Sequence, residues 1–191
     1  SFNQPASWTM FYFGFASGLP FLLVAGTLAY WLKDGGIELK EITMIASAGM
    51  AYALKFLWAP LLDHVEIPFL ANMGRRRSWL LLAQLGVLVG LLAMAITTPL
   101  HLGLFIIATV LVAVAGATQD IAVDAYRIEI APITDQGALT AVYSLGYRIA
   151  LIISGMVALI MADHVSWTGI YLGMALLMLI PIVANLRAKE P

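Results

Sequence analysis

Apolar residues along this chain come in long runs, broken only by short polar connectors. Six stretches are almost continuously apolar: Trp8–Leu32, Ile42–Leu62, Trp79–Thr97, Leu102–Ile130, Leu139–Ala162 and Trp167–Leu186. Each is near the ~20 residues that a helix needs to cross ~30 Å of hydrocarbon. The connectors are Lys33–Glu41, Asp63–Ser78, Thr98–His101, Ala131–Ala138 and Asp163–Ser166. Runs this long exceed a barrel strand, and backbone groups in lipid must bond within their own segment. The pattern therefore predicts an all-α, integral membrane bundle of six transmembrane helices, with sequential helices antiparallel.

Composition agrees. The chain of 191 residues is 62% hydrophobic and only 11% charged, with a mean hydropathy of +0.93. A domain of this size cannot hide so much apolar surface from water, so its solvent is lipid. A net charge of −1 gives no footprint for nucleic acid. With no cysteine, disulfides and thiolate sites are excluded. His64, His101 and His164 fall at span edges with no second ligand type nearby, so no metal or other cofactor is expected. The N-terminus lacks a short basic region and a cleavage site, and the first residue is not Met, so the chain reads as a processed or excised piece.

Orientation follows from basic residues in the loops. Arg75, Arg76, Arg77, Arg127, Arg187 and Lys189 share one side, against Lys33 and Lys40 on the other. That imbalance predicts cytoplasmic termini and a cytoplasmic Asp63–Ser78 loop. Trp8, Trp31, Trp79 and Trp167 lie at span ends, where interfacial aromatics belong. Small residues (Ala113, Gly116 and Ala117; Gly146, Ala150 and Ser154) predict close helix packing.

The informative residues are charges inside the spans: Lys55, Asp120, Asp124 and Arg148, with Arg127 nearer the cytoplasmic end. A charge at a helix centre costs about 2.5–3.5 kcal/mol on insertion scales, so these side chains should face the bundle interior and have partners. Asp120, Asp124 and Arg127 share one face of the fourth helix. At ~1.5 Å per residue, Asp120 lies about 18 Å from Pro132, Arg148 about 16 Å from Gly137, and Lys55 about 12 Å from Asp63. The expectation is that Arg148 pairs with Asp120 or Asp124, and that Lys55 lines the same cavity. A buried ion-pair network that only fixes helix register is the plainer reading. Two carboxylates, two interior cations and Gln119 exceed what register requires. Carboxylates one turn apart resist joint ionisation, so one can take up a proton, and an interior cation can hold a substrate carboxylate. Hydrolase signatures are absent. At the loop, Asp63 closes the second span and Gly74-Arg75-Arg76-Arg77 opens the third, a pairing that can latch the loop or simply anchor it by positive charge.

The residues also resemble a known family. Gly14-Phe15-Ala16-Ser17-Gly18-Leu19-Pro20 with Thr27-Leu28 and Trp31 is similar to the first span of AmpG-type permeases of the major facilitator superfamily. Lys55-Phe56-Leu57-Trp58-Ala59-Pro60-Leu61-Leu62-Asp63 resembles their second span, and Gly74–Leu81 with Gln84 their third. Gln119–Ala125 and Gly146-Tyr147-Arg148 with Ser154-Gly155 resemble the fourth and fifth. The resemblance implies the N-terminal six-helix half, over residues 1–191, of a proton-coupled importer of anhydro-muropeptides in the bacterial inner membrane. Such import serves peptidoglycan recycling and β-lactamase induction, and hence antibiotic resistance. The partners implied are the lipid bilayer, a C-terminal six-helix half, the muropeptide and the proton. Asp120, Asp124 and Arg148 would couple protons. Lys55, Gln119 and Arg148 would contact substrate polar groups, with Tyr30, Trp58, Tyr126 and Tyr147 as sugar-stacking aromatics. Asp63, Gly74, Arg75, Arg76 and Arg77 would form the gating loop, although His64 stands where an arginine is usual and the loop is longer. Gly18 and Pro20 should bend the first helix. The alternatives are a membrane-integral enzyme acting on a cell-wall precursor through Asp120 and Asp124, or a non-transporting scaffold.

Overall fold

The structure, a computed structural model, describes residues 5–191. Prolines and glycines cut its helices into α1 (Pro5–Leu23), α2 (Gly26–Asp34), α3 (Leu39–Ala46), α4 (Met50–Leu54), α5 (Ala59–His64), α6 (Arg75–Thr97), α7 (Leu102–Ile130), α8 (Gln136–Ile152), α9 (Ala158–Met161), α10 (Trp167–Leu177) and α11 (Leu179–Arg187). Taken across short interruptions, five helices among the described residues are long and apolar enough to cross a membrane: Pro5–Asp34, Arg75–Thr97, Pro99–Ile130, Ile133–Met161 and Trp167–Arg187.

The stretch expected as a continuous second span departs from this regularity. It is helical but broken, with 3₁₀ turns at Ser47–Gly49 and Lys55–Leu57 between α3, α4 and α5. Pro60 explains the second break, because it has no N–H for the carbonyl of Phe56 one turn back. Beside the break, the Trp58 indole donates to Thr118 Oγ1 on α7 at 3.0 Å. Lys55 therefore sits at a helix break.

The first span also breaks, but later than its prolyl residue. α1 runs through Pro20 and ends at Leu23. Pro20 orphans the carbonyl of Ala16, and Gln119 Nε2 donates to it at 2.6 Å. At the actual break, the Tyr171 hydroxyl donates to Leu23 O at 2.7 Å. Beyond it, Thr27 Oγ1 donates to Ser154 O at 2.6 Å, within the π-helical turn Ile153–Val157 of the fifth span. Side chains from three neighbouring spans thus meet the polar backbone where regular helix fails, as a lipid-embedded fold requires.

α1 and α8 pack backbone to backbone. A Cβ added at Gly14 or Gly18 would collide with the carbonyls of Tyr143 and Tyr147, and one at Gly146 with the carbonyl of Phe11. Among the described residues, buried apolar side chains form two cores. One gathers Leu19, Leu28, Val87, Leu91, Val112 and Tyr171, and the other Met10, Phe13, Leu62, Leu80, Ala122 and Tyr126. Trp31, expected at an interface, is 5% exposed in the first core, stacked on Trp167 and packed against Phe105 and Tyr171.

Candidate functional site

The change from one core to the other falls between Tyr52 and Trp58 in the broken segment, between Ala115 and Ile121 on α7, and between Tyr143 and Ile149 on α8. Lys55, Gln119, Asp120, Tyr147 and Arg148 all lie inside those windows, so the polar residues form a layer between two apolar cores. Lys55 Nζ stands 3.8 Å from Asp120 Oδ2, an ion pair longer than a hydrogen bond, with the lysine side chain 33% exposed and the aspartate 13%.

Other polar groups surround Asp120. Ser17 on α1 and Tyr52, Tyr143 and Tyr147 lie within its electrostatic reach. Ser17 Oγ, Tyr52 OH, Gln119 Oε1 and Asp120 Oδ1 are buried and have no partner within hydrogen-bond distance among the described residues. Buried polar groups are almost always paired, and each exception needs an explanation. The Ser17 and Tyr52 hydroxyls left unpaired within reach of this carboxylate mark a place that can receive polar atoms. Tyr52 reaches this place because Gly116 leaves room for its hydroxyl and Phe21 packs edge-on to its ring at 5.4 Å.

The expected partnership of Arg148 is not found. Arg148 makes no ion pair with either aspartate; it is exposed and lines a shallow hollow with Tyr143, Ser144 and Tyr147. Lys55, at the break of the second span, takes the Asp120 partnership instead. Asp124 instead pairs with Arg127 at 3.9 Å, one turn away on the same helix. Arg127 is also held by Thr140 Oγ1 at 3.0 Å.

The expected aromatic platform is dispersed. Tyr147 lies beside Tyr143, their rings 6.2 Å apart, in the polar layer. Trp58 is engaged with Thr118. Tyr126 is buried, its ring 5.1 Å from Phe13 and its hydroxyl donating to Lys189 O at 2.6 Å. Tyr30 is exposed in a groove with Lys33, Leu39 and Ile42, away from the layer. Gln119 is fully buried, its amide nitrogen committed to α1.

A second polar cluster occupies the arginine-rich end. Arg76 is 8% exposed, donates to Asp63 Oδ1 at 2.8 Å and forks onto Glu129, with Nη2 at 2.6 Å and Nε at 3.1 Å. The planar guanidinium suits this two-carboxylate geometry. Arg75 donates to Asp63 O at 2.6 Å, and Arg77 reaches the carbonyls of Asn185 and Leu186. Gly74 has φ +90°, a conformation that favours glycine.

Sequence reasoning missed Ser17, Tyr52, Tyr143, Glu129 and Glu190. Tyr52 is three residues before Lys55 and Tyr143 four before Tyr147, so helical spacing was a usable signal. Nothing local marks Glu190, which is 114 residues from its partner Arg76.

Comparison with known proteins gives one family. The sequence model of the Major Facilitator Superfamily matches residues 7–191. The anhydromuropeptide permease of Escherichia coli K12 is 42% identical over 192 residues, covering 100% of this chain and 38% of that protein. AmpG 4 of Rickettsia conorii is 40% identical over 155 residues, 81% of this chain and 37% of its own. An uncharacterized protein of Haemophilus influenzae is 41% identical over 180 residues, 93% of this chain and 42% of its own. The chain thus spans well under half the length of these curated relatives.

Proposed function

The chain belongs to the major facilitator superfamily, and from that premise we propose that it is the N-terminal bundle of a proton-coupled importer of anhydro-muropeptides. The observation that carries this reading is the 42% identity to the Escherichia coli permease across the whole chain. The buried polar layer supplies chemistry to match. In this reading the protein is a carrier rather than an enzyme, and the broken Leu39–His64 segment completes six spans. Both termini and the arginine-rich loop lie in the cytoplasm, the membrane is the bacterial inner membrane, and a second six-helix bundle closes the site near mid-membrane.

Asp120 is the proton acceptor of this proposal, with Lys55 rather than Arg148 as its partner. Protonation of the carboxylate would remove the attraction that holds the ammonium at 3.8 Å and release Lys55 toward substrate. Arg148, exposed beside Tyr147, is then free to hold a muropeptide carboxylate through its forked donors. Asp124, paired with Arg127 nearer the helix end, plays a lesser part in coupling. Asp63, Gly74 and Arg75–Arg77 form the gating loop, with Glu129 as a further member.

The test is uptake of labelled anhydro-muropeptide into energised inverted and right-side-out vesicles, with this chain alone and with the chain joined to or co-expressed with a C-terminal six-helix bundle. Uptake that needs both bundles and a proton gradient supports the proposal. Inserted, paired bundles that take up no muropeptide would refute the substrate. Gradient-independent uptake would refute the coupling.

A further inference from the structure

The segment after α11 folds back onto the start of α6. One Glu190 carboxylate oxygen accepts from the backbone N–H of Arg76 at 3.0 Å, and the other from that of Arg77 at 3.1 Å. These are among the first amides of a 23-residue helix, which have no acceptor inside the helix and carry its positive dipole end. The docking is reinforced on both sides. Tyr126 OH holds Lys189 O at 2.6 Å, the Arg77 guanidinium holds the carbonyls of Asn185 and Leu186, and Asn185 Nδ2 donates back to Arg77 O at 3.1 Å. Gly74 makes room: a side chain there would run into the Glu190 methylene and carboxyl carbons.

We propose that Glu190 is a built-in anionic ligand for the N-terminus of α6, making residues 188–191 a strap that ties the chain leaving the last helix to the Asp63–Arg76–Glu129 cluster. Arg76 is the shared member, its guanidinium gripping α5 and α7 while its amide grips the strap. A shift of the N-terminal end of α6 away from α7 therefore moves residues 188–191 with it. If the two-bundle reading above holds, that segment leads toward the second bundle, and the strap links loop latching to the connection between bundles. The strap itself does not depend on which solute is carried.

The experiment is residue-resolved amide hydrogen exchange on the full-length carrier in lipid nanodiscs, comparing wild type with Glu190→Ala, Glu190→Gln and Glu190→Asp. First-turn amides normally exchange fast, so slow exchange at Arg76 and Arg77 relative to Arg75 is the signature expected in the wild type. Loss of a hydrogen bond to a charged acceptor should speed both amides by about tenfold or more in Glu190→Ala. Glu190→Gln should show a smaller effect, and Glu190→Asp should keep partial protection. Amides from Leu85 to Leu92 in mid-α6 should be unchanged, which separates loss of the strap from unfolding. Unchanged exchange at Arg76 and Arg77 in Glu190→Ala would overturn the strap. Failure of muropeptide uptake would leave this result intact, so the two readings fail separately.

Discussion

Replacing Gly14 by alanine tests whether the contact between α1 and α8 is as close as described. The added methyl would meet the carbonyl and Cα of Tyr143, which are backbone atoms and cannot rotate away. Overpacking costs typically about 1–3 kcal/mol, and a rigid backbone obstacle belongs in the upper half of that range. Alanine recovers ~1 kcal/mol of helix propensity over glycine, leaving a net loss of about 1–2 kcal/mol. For a chain of this size each kcal/mol moves Tm by roughly 2–4 °C, so Gly14→Ala should melt about 2–8 °C lower. Gly173 is the control, because it lies within α10 and a Cβ there meets nothing within 4 Å. Gly173→Ala should gain the propensity term alone and melt roughly 2–4 °C higher. Thermal unfolding in detergent, followed by tryptophan fluorescence, reads both. The opposite signs are the content of the prediction: a Gly14→Ala protein as stable as wild type would refute the backbone contact. Because the contact also places Tyr143 and Tyr147 against α1, Gly14→Ala should lower uptake as well.

Gln119→Leu removes the donor to Ala16 O and leaves a buried carbonyl unpaired, a loss of about 1–3 kcal/mol. In a Pro20→Ala background the restored N–H can serve that carbonyl, so the same substitution should cost clearly less, and additive losses in a double-mutant cycle would refute the role of Gln119. Asp120→Asn should abolish gradient-driven uptake, whereas Asp124→Asn should reduce it by less than tenfold, since exposed pairs such as Asp124–Arg127 contribute only about 0–1 kcal/mol. Equal losses in the two variants would shift the coupling role to the pair of carboxylates together. Arg76→Lys keeps the charge but loses the fork onto Glu129 and Asp63. Cysteine accessibility of the Asp63–Ser78 loop should rise in that variant, and unchanged accessibility would argue against a latch.

Much of the fold was legible because lipid imposes a coarse rule: backbone polar groups must bond within their own segment, so long apolar runs are helices. Five such helices appear close to where the runs lie. The segment over Ile42–Leu62 reads as one largely apolar run, yet its helix is broken, because the N–H that Pro60 lacks is a matter of hydrogen bonding that hydropathy does not register. The position of Pro20 was legible, but its consequence was not. The break came at Val24–Ala25, since Gln119 relieves the carbonyl that the proline orphans.

The candidate site divides the same way. Charge in an apolar run is visible in sequence because it is costly there, and that singled out Lys55, Asp120, Asp124 and Arg148 without any structure. Helical spacing then placed Asp120, Asp124 and Arg127 on one face of α7. Which cation faces Asp120 depends on how helices rotate against one another, and the structure puts Lys55 there and leaves Arg148 exposed. The same holds for Tyr126, whose ring was chosen as a sugar platform on chemistry alone and is buried against Phe13. Glu190 is the extreme case, because its amide partners come from a helix more than a hundred residues earlier. Sequence by itself determined what must span lipid and which charges are too costly to be accidental, since both follow from transfer energies of single residues. Tertiary structure alone decided the pairings, because a pairing depends on distance and orientation between segments that no local pattern encodes.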